Sequence, residues 1–340
     1  MPKFEALGGL PMRRRDFVKG VAGSAIGWPL AARAQQPAGI RRISMLTGIA
    51  GNDSEIKDRL TAFSRQLQQL GWTEGRDVRI DVRGGGGDLA VTRRHATELA
   101  ALAPDVILAI GNLTLAPLIE ATHTVPIVFT VVIDPVGAGF VETLSRPGAN
   151  VTGLMMFEYS LSGKWLELLR EIAPQVTHAA VLREPGSTAG IGQFAVIEAA
   201  APSLGIEISA MSERDGSQIE RAITEFAHTG NGGLIIAASS GSVVYRRQII
   251  DLALRYKLPA VYTGRSFVAD GGLVSYGPNL VEQTGQAAFY VDRIFKGEKP
   301  ANLPVQAPTK YELAINLKTA KALGLTIPQS VLTRADEVIE

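Results

Sequence analysis

The chain contains no cysteine among its 340 residues. This absence excludes thiolate nucleophiles, cysteine-ligated zinc or iron–sulfur sites and a framework of disulfide bonds. The fold must therefore be held together by packing, and the 46% of hydrophobic residues supply enough apolar side chains for a buried core. The length favours two domains, because single hydrophobic cores stop growing at about 250 to 300 residues.

An excess of charge of either sign is also absent. The sequence has 34 basic and 33 acidic side chains, so its formal net charge is +1. A protein that binds nucleic acid needs a basic surface that neutralises phosphates. We therefore expect no nucleic-acid partner, and the composition is typical of an ordinary globular protein.

Motifs for covalent, metal or phosphate chemistry are missing as well. The sequence has no H-E-x-x-H helix and no G-x-S-x-G nucleophile elbow, and its four histidines are scattered. The run of glycines at 84–87 fits neither a phosphate-loop motif nor the G-x-G-x-x-G of dinucleotide-binding folds, so it predicts a flexible surface loop. We predict no catalytic residues, no metal site and no cofactor.

The first 34 residues predict an export signal. Three arginines at 13–15 precede an apolar run at 21–30, and Ala32 and Ala34 are the small residues that a signal peptidase reads. This order resembles a twin-arginine signal that is cleaved after Ala34, which would place the mature protein in the periplasm. An uncleaved amphipathic anchor is the alternative.

After residue 40, short aliphatic runs alternate with longer amphipathic segments, which is the pattern of β–α units in a parallel sheet. Two such series occur, with strands predicted at 43–47, 78–82, 106–110 and 127–131, and then at 178–182, 206–211, 233–237 and 260–262. We expect strands that are apolar on both faces, because helices would cover both sides of each sheet. The helices include predicted segments at 162–172, 243–256 and 280–295, and a last strand is predicted at 311–315. The predicted fold class is α/β, with two doubly wound parallel-sheet lobes.

Polar residues follow the predicted strands, at the edge where open α/β sheets bind ligands. The candidate ligand-binding residues of the first series are Thr47, Asn52, Asp53, Gly111, Asn112, Thr114 and Asp134. Those of the second series are Arg183, Ser187, Thr188, Ser239, Ser240, Tyr262 and Arg265. We expect these two rows to line a cleft that binds a small solute.

The candidates suggest a polarity for the bound solute, and each has a structural alternative. The helix start at 112–114 would hold a carboxylate, and Asp134 would hold an amine. Equally, Asn112 and Thr114 could cap the helix, and Asp134 before a proline is a good cap itself. Arg183 and Arg265 could pair with neighbouring carboxylates on the surface.

Four segments together resemble the ABC transporter substrate-binding proteins of the tryptophan/tyrosine-binding type. They are PIVF at 126–129 with DPV at 134–136, RPGANVTG at 146–153, GGLVSYGPN at 271–279, and INLKTAKALG at 315–324. The resemblance covers essentially the whole mature chain. It implies a type I periplasmic-binding fold, whose two lobes close on a small solute and hand it to an ABC permease in the cytoplasmic membrane.

The resemblance also implies three chain crossings between the lobes, near Leu154, Asn279 and Leu303. The expected domains are the export signal at 1–34, lobe one at 40–154 and 279–303, and lobe two at 155–278 and 304–340. We expect an exported receptor for an amino-acid-like or carboxylate solute, aromatic ones included, and not an enzyme. A sensory ligand-binding module and an exported enzyme that uses the same cleft are the alternatives.

Replacing Arg14 and Arg15 together by lysine should prevent export, because the twin-arginine pathway reads the arginine pair. Most of the protein should then remain in the cytoplasm as precursor, which cell fractionation and immunoblotting measure. The expectation is the same whether translation starts at Met1 or at Met12, since both precede the pair. Normal amounts of mature protein in the periplasm would contradict a twin-arginine signal.

Overall fold

The computed structural model describes residues 39–212 and 214–340. The predicted export signal and its cleavage site lie outside these residues. The segment Ile40–Glu340 forms one compact unit that contains two β-sheets. No helix in the described part of the chain is both long and apolar enough to cross a membrane.

The first sheet is parallel and has five strands: β1 (Arg41–Thr47), β2 (Val78–Gly84), β3 (Val106–Ile110), β4 (Ile127–Val132) and β5 (Val151–Met155). Their order is β2-β1-β3-β4-β5, with every neighbouring pair parallel. Strand β3 is buried along its whole length, whereas β2 lies at the edge and only Val78 of its sequence VRIDVRG is buried. The expectation of strands that are apolar on both faces is therefore wrong for β2, because an edge strand is partly exposed to water.

The second sheet has seven strands: β6 (His178–Arg183), β7 (Glu207–Ser212), β8 (Gly232–Ile236), β9 (Ala260–Tyr262), β10 (Val274–Gly277), β11 (Glu312–Asn316) and β12 (Glu337–Ile339). Their order is β12-β11-β10-β9-β8-β6-β7. Strands β10 and β11 pair antiparallel, and the other neighbours are parallel. The expectation of a purely parallel sheet is wrong at this pair, because β11 returns from the first sheet and not from a local β–α–β crossover.

Helices pack on both sheets. They are α1 (Ser54–Gln69), α2 (Leu89–Ala101), α3 (Asn112–Ala121), α4 (Ser162–Ile172), α5 (Thr188–Leu204), α6 (Gly216–Ala227), α7 (Ser240–Val244), α8 (Arg246–Arg255), α9 (Arg265–Ala269), α10 (Leu280–Phe295), α11 (Leu317–Ala322) and α12 (Gln329–Leu332). Short 3-10 turns occur at Tyr159–Leu161 and Pro300–Asn302.

Each sheet lies between two hydrophobic clusters, because successive side chains of a strand point to opposite faces. In β3, Val106, Leu108 and Ile110 belong to the cluster that also contains residues of α1 and α10. Ile107 and Ala109 belong to the cluster on the other face, with residues of α2 and α3. The apolar character of β3 on both faces therefore follows from its central position in the sheet.

The chain passes between the two sheets three times. It leaves the first sheet after β5, and α4 then packs on the second sheet. After β10 it returns, since α10 packs on α1 and β4, and after the turn at Pro300–Asn302 it enters the second sheet again as β11. This architecture confirms the predicted fold class of two α/β lobes. We call the first sheet with its helices lobe one and the second sheet with its helices lobe two.

Two kinds of element differ from the sequence prediction. The helix predicted at 243–256 is divided into α7 and α8 at Tyr245, whose φ of −96° and ψ of 15° interrupt the helix. Strands β5, β10 and β12 were not predicted. Strand β5 contains Gly153, where a Cβ atom would overlap the backbone of Phe129. Glycine is uncommon in strands, so Gly153 makes this segment hard to predict as a strand from the sequence. The close approach of β4 nevertheless requires a residue without a side chain there.

The glycine run at 84–87 packs against the segment that follows β1. The Gly85 N–H donates to the carbonyl of Thr47 at 2.8 Å. A Cβ atom at Gly84 would overlap the backbone nitrogen of Gly51. The expectation of a surface loop is therefore wrong for Gly84 and Gly85, because the missing side chains allow two backbone segments to lie in contact. Gly86 and Gly87 form an exposed turn.

Gly84→Ala should lower the free energy of unfolding by about 2 to 3 kcal/mol, because the added methyl group has no space between two backbone segments. Gly163→Ala is the matched control, since its Cβ would meet only ordinary contacts in the first turn of α4. That control should be neutral or stabilising, by up to about 1 kcal/mol. Urea unfolding followed by circular dichroism measures both variants, and equal stabilities would contradict the close approach.

Candidate functional site

A cleft lies between the carboxyl ends of strands from both lobes. Its wall on lobe one comes from the residues after β1, β3 and β4, and its wall on lobe two comes from the residues after β6, β8 and β9. The apolar lining includes Ile49, Ile110, Leu113, Ile133, Met156, Val243, Phe267 and Leu280. The polar lining includes Thr47, Glu55, Arg59, Asn112, Glu184, Ser239, Ser240, Ser242, Thr263 and Ser266. Such a mixed lining suits a small solute with an apolar body and a few polar groups.

The two walls touch each other at the loop after β1. A Cβ atom at Gly48 would overlap the hydroxyl oxygen of Ser240, which belongs to lobe two. Gly111, after β3, also faces this hydroxyl, at the longer distance of 3.8 Å from the position of a Cβ atom. The structure therefore shows the two lobes in contact around the cleft.

Glu55, in the first turn of α1, makes polar contacts across the cleft. Its Oε1 atom accepts hydrogen bonds from Arg246 Nη1 at 3.0 Å and from the hydroxyl of Ser266, both in lobe two. Arg246 Nε also donates to Asp270 at 2.6 Å. The side chains of Glu55 and Arg246 are only 13% and 10% exposed. Salt screens such a pair weakly, so it stabilises the closed arrangement of the lobes.

Arg59 follows Glu55 by one turn of α1 and lines the same cleft. Its Nη2 atom donates to Glu55 Oε2 at 2.7 Å. The residue is 5% exposed, and burial lowers the pKa of its guanidinium below the ordinary value. Within the described part of the chain, the buried Nε atom has no hydrogen-bond partner. A buried donor without a partner is costly, so the position of Arg59 is energetically unfavourable in this structure.

The start of α3 directs backbone N–H groups toward the cleft. Gly111 occupies the N-cap position with φ 92°, and no side-chain cap is formed there among the described residues. The side chain of Asn112 is used differently, since its Nδ2 donates to the carbonyl of Ile133 at 3.1 Å and its Oδ1 accepts from the Ile133 N–H at 2.9 Å. Asn112 thus joins the ends of β3 and β4, while the positive end of α3 favours an anionic group.

Val131 lies in the cleft wall at a bulge between β4 and β5. Its φ of 59° is unusual for a β-branched residue and marks local strain. The Val131 N–H donates to Gln283 Oε1 at 3.3 Å, and Gln283 Nε2 donates to the carbonyl of Met155 at 2.7 Å. Gln283 of α10 therefore stabilises the bulge that directs Val131 into the cleft.

Glu184 brings a second carboxyl group to the cleft, from lobe two. Burial raises the pKa of this group, and a hydrogen bond with Ser187 partly opposes the shift. A cationic group of a solute would compensate the buried charge. In residues 39–212 and 214–340, no cluster of His, Asp and Glu could hold a metal ion.

A family profile described as ABC transporter substrate binding protein matches residues 51–339. The chain belongs to this family. A curated relative from Clostridioides difficile, named tyrosine-binding protein, is 23% identical over 316 residues, which cover 85% of this chain and 90% of the relative.

Solved structures share the fold. A conserved domain protein from Vibrio cholerae is 28% identical and matches with a TM-score of 0.82, over 88% of this chain and 99% of that one. A domain from Streptococcus pneumoniae solved in complex with L-Trp is 23% identical, with a TM-score of 0.81 over 88% of this chain and 100% of that one. A ligand-free, open structure of a substrate-binding protein from Clostridium difficile is also 23% identical, with a TM-score of 0.64 over 88% and 99%.

Five of the predicted binding residues line the cleft of this substrate-binding protein: Thr47, Gly111, Asn112, Ser239 and Ser240. They come from the ends of β1, β3 and β8, on both walls. These residues lie together because each follows a strand whose carboxyl end is at the cleft edge of its sheet.

Other predicted residues are placed beside the cleft as helix caps or at helix starts. Asp53 accepts from the Glu55 N–H at 2.9 Å, and Ser187 accepts from the Gly190 N–H at the same distance. Thr114 is fully buried, and its hydroxyl donates to the carbonyl of Gly111 at 2.8 Å. Asn52 and Thr188 are exposed residues just before α1 and at the first position of α5.

Asp134 lies in a separate depression next to Tyr159, and not in the lining of the cleft. Its φ is 39°, and its Oδ1 atom accepts from the Gly137 N–H at 2.8 Å, so the carboxylate stabilises a turn. Tyr262 is 1% exposed in the core of lobe two, and the next residue, Thr263, lines the cleft. Successive strand residues point in opposite directions, so a shift of one position exchanges a core residue for a cleft residue.

The two predicted arginines also have partners within lobe two. Arg183 lies over the ring of Phe194, with its Cζ atom 5.1 Å from the ring centroid. Arg265 is exposed and pairs with Glu337 of β12. Neither arginine belongs to the lining of the cleft: Arg183 is half-buried against Phe194, and Arg265 is on the surface with Glu337.

The sequence pattern did not indicate the charged residues of the cleft lining, Glu55, Arg59 and Glu184, or Arg246, which contacts Glu55. Glu184 directly follows β6, whereas the other three lie within helices, away from the strand ends. Glu55 and Arg59 have i,i+4 spacing, which in a sequence looks like an ordinary pair on an exposed helix face. Glu55 contacts Arg246 and Ser266 of lobe two, whereas Arg59 lies among the buried residues of α1.

Arg246→Gln should lower the free energy of unfolding of this substrate-binding protein by about 2 kcal/mol, because Glu55 loses a charged hydrogen-bond donor at a buried position. Small-angle scattering should also show a larger radius of gyration, since the lobes lose a contact. Arg293→Gln is the control: its pair with Glu298 is exposed and should contribute less than about 1 kcal/mol. Equal effects of the two substitutions would contradict a role of Arg246 in closure.

Proposed function

We propose that the protein is the exported solute receptor of an ABC uptake transporter. It binds a small amino-acid-like or carboxylate solute, aromatic ones included, in the cleft between the lobes. Closure of the lobes presents the bound solute to a permease in the cytoplasmic membrane. The protein binds and releases the solute without chemical change.

The cleft itself is the observation that carries this proposal. Hydroxyl, amide and charged groups from both lobes converge on one space, and Glu55 of lobe one contacts Arg246 of lobe two across it. A solute that contacts both walls binds the closed state more tightly than the open one. It therefore shifts the population toward closure, which is a difference that a permease can detect.

The comparisons support the choice of solute class. One relative is named for tyrosine binding, and one structure of the same fold contains L-Trp. The chain also superimposes better on that complex than on the ligand-free, open structure of equal identity, which agrees with the contacts between its lobes. Phe267 in the lining offers an aromatic surface next to the polar groups.

The sequence order at 1–34 supports the proposed location. An arginine-rich segment, an apolar segment and the Ala32–Arg33–Ala34 site come in the order of an export signal. We propose cleavage after Ala34 and a mature protein in the periplasm, where a receptor can pass its solute to a membrane permease.

Isothermal titration calorimetry with L-tyrosine, L-tryptophan and a set of other amino acids and small carboxylates tests the proposal. At least one solute should bind saturably at one site and raise the melting temperature, because it binds only the folded state. Chromatography of the mixture should recover that solute unchanged. Conversion of the solute that a substitution in the cleft abolishes would instead favour an enzyme.

A further inference from the structure

Arg59 has more hydrogen-bond donors than its surroundings use. A guanidinium carries five N–H donors in a planar fork. In the described structure, Arg59 makes one side-chain hydrogen bond, from Nη2 to Glu55, while Nε is buried without a partner. The residue is 5% exposed, so water replaces few of the missing bonds. Native proteins rarely leave a buried donor in this condition without a reason.

Glu55 does not accept a hydrogen bond from Nε of Arg59 in this structure. Its Oε1 atom already accepts from Arg246 and from the hydroxyl of Ser266, and its Oε2 atom faces Nη2 of Arg59. Arg246 adds a like charge, which also lowers the pKa of Arg59, and Asp53 is occupied as the cap of α1. Within the described residues, the N–H groups of Arg59 other than the one bonded to Glu55 therefore have no acceptor, and those that face the cleft can donate to a bound group.

The start of α3 is a second feature of the same cleft that favours an anion. Gly111 and Asn112 at its first positions line the cleft together with Arg59. The helix has ten residues, and its N-cap glycine provides no side-chain acceptor for the N–H groups of the first turn. An anion between Arg59 and this helix start would meet a guanidinium and a positive helix end.

We propose that Arg59 binds the carboxylate of the solute through the N–H groups of its guanidinium that Glu55 does not use, with the start of α3 as the second contact. This inference rests on the proposed function and assigns the residue that selects carboxylate solutes. A carboxylate matches the arginine fork with two parallel hydrogen bonds, whereas a carboxamide or an amine does not. Arg59 then has two roles on one helix: one edge of the fork holds Glu55, and the other receives the solute.

The test compares matched solutes on matched variants. The probes are L-tyrosine, L-tryptophan, 3-phenylpropionate and indole-3-propionate, with L-tyrosinamide, L-tryptophanamide, tyramine and tryptamine as partners that lack the carboxylate. The variants are Arg59→Gln, Arg59→Lys and Arg65→Gln. Arg65 lies on the same helix with an exposed side chain, so its substitution removes the same charge away from the cleft. Calorimetry gives the dissociation constants, and circular dichroism confirms that each variant is folded.

We expect the wild-type protein to prefer a carboxylate probe over its amide by about 100-fold or more, since an unpaired buried charge is costly. Arg59→Gln should weaken carboxylate binding by a similar factor and reduce the preference over the amide to a few-fold. Arg59→Lys should retain part of the affinity because it keeps the charge without the fork. Arg65→Gln should bind like the wild type.

Other results distinguish a failure of the inference about Arg59 from a failure of the proposed receptor function. If a carboxylate binds the wild type and Arg59→Gln weakens acid and amide equally, Arg59 only positions Glu55, and the inference is wrong although the receptor function stands. Binding of amine or amide probes alone would overturn the inference in the same way. If none of the probes binds the wild type, the proposed solute class is wrong and the inference falls with it.

Discussion

The carboxylate of Glu55 connects the two lobes and the cleft between them. It accepts from Arg246 and Ser266 of lobe two and from Arg59 of its own helix. Buried ion pairs add little net stability, because the cost of removing two charges from water offsets most of their attraction. Their effect is to favour one arrangement over others. In this protein, that arrangement is the one in which Arg246 and Ser266 of lobe two contact Glu55 of α1.

The arrangement of strands explains why the cleft lies where it does. In both sheets, neighbouring parallel strands place their carboxyl ends at one edge, and the loops and helix starts that follow them meet there. Small residues allow the two edges to approach each other. Gly48 is an example, because a Cβ atom there would overlap the hydroxyl of Ser240. Gly84 has a similar role behind the wall, because it lets β2 lie against the segment after β1. Close contacts that only glycine allows therefore help to form the cleft, while its lining combines apolar and polar side chains.

A solute receptor needs bonds that form only when it closes. Three features near the cleft are energetically unfavourable in the described structure. They are the strained backbone of Val131, the start of α3 without a side-chain cap, and the Nε atom of Arg59, which lacks a hydrogen-bond partner. A cost at a binding site is compensated when a ligand supplies the missing partner. The contacts of Glu55 with Arg246 and Ser266 join the two walls of the same cleft.

Much of the fold could be predicted from the sequence. The strand β3 and the helices α4 and α10 have the predicted bounds, because long periodic or fully apolar segments carry a strong local signal. The glycine-containing strand β5 and the break at Tyr245 were missed, since tertiary contacts decide them. Family membership was also accessible, as its motifs lie in contiguous segments.

The candidate binding residues also form two groups: those that the sequence predicts and those that only the tertiary structure reveals. The sequence by itself determined the strand ends, and with them Thr47, Gly111, Asn112, Ser239 and Ser240, because topology alone brings strand ends to one edge. Only the tertiary structure decided that Tyr262 enters the core while Thr263 faces the cleft, and that Asp134 closes a turn. It also decided that Glu55 and Arg59, which have the spacing of a surface pair, are buried. Burial is a property of what packs on a residue, and for Glu55 the contact comes from Arg246, more than 180 residues away in the chain.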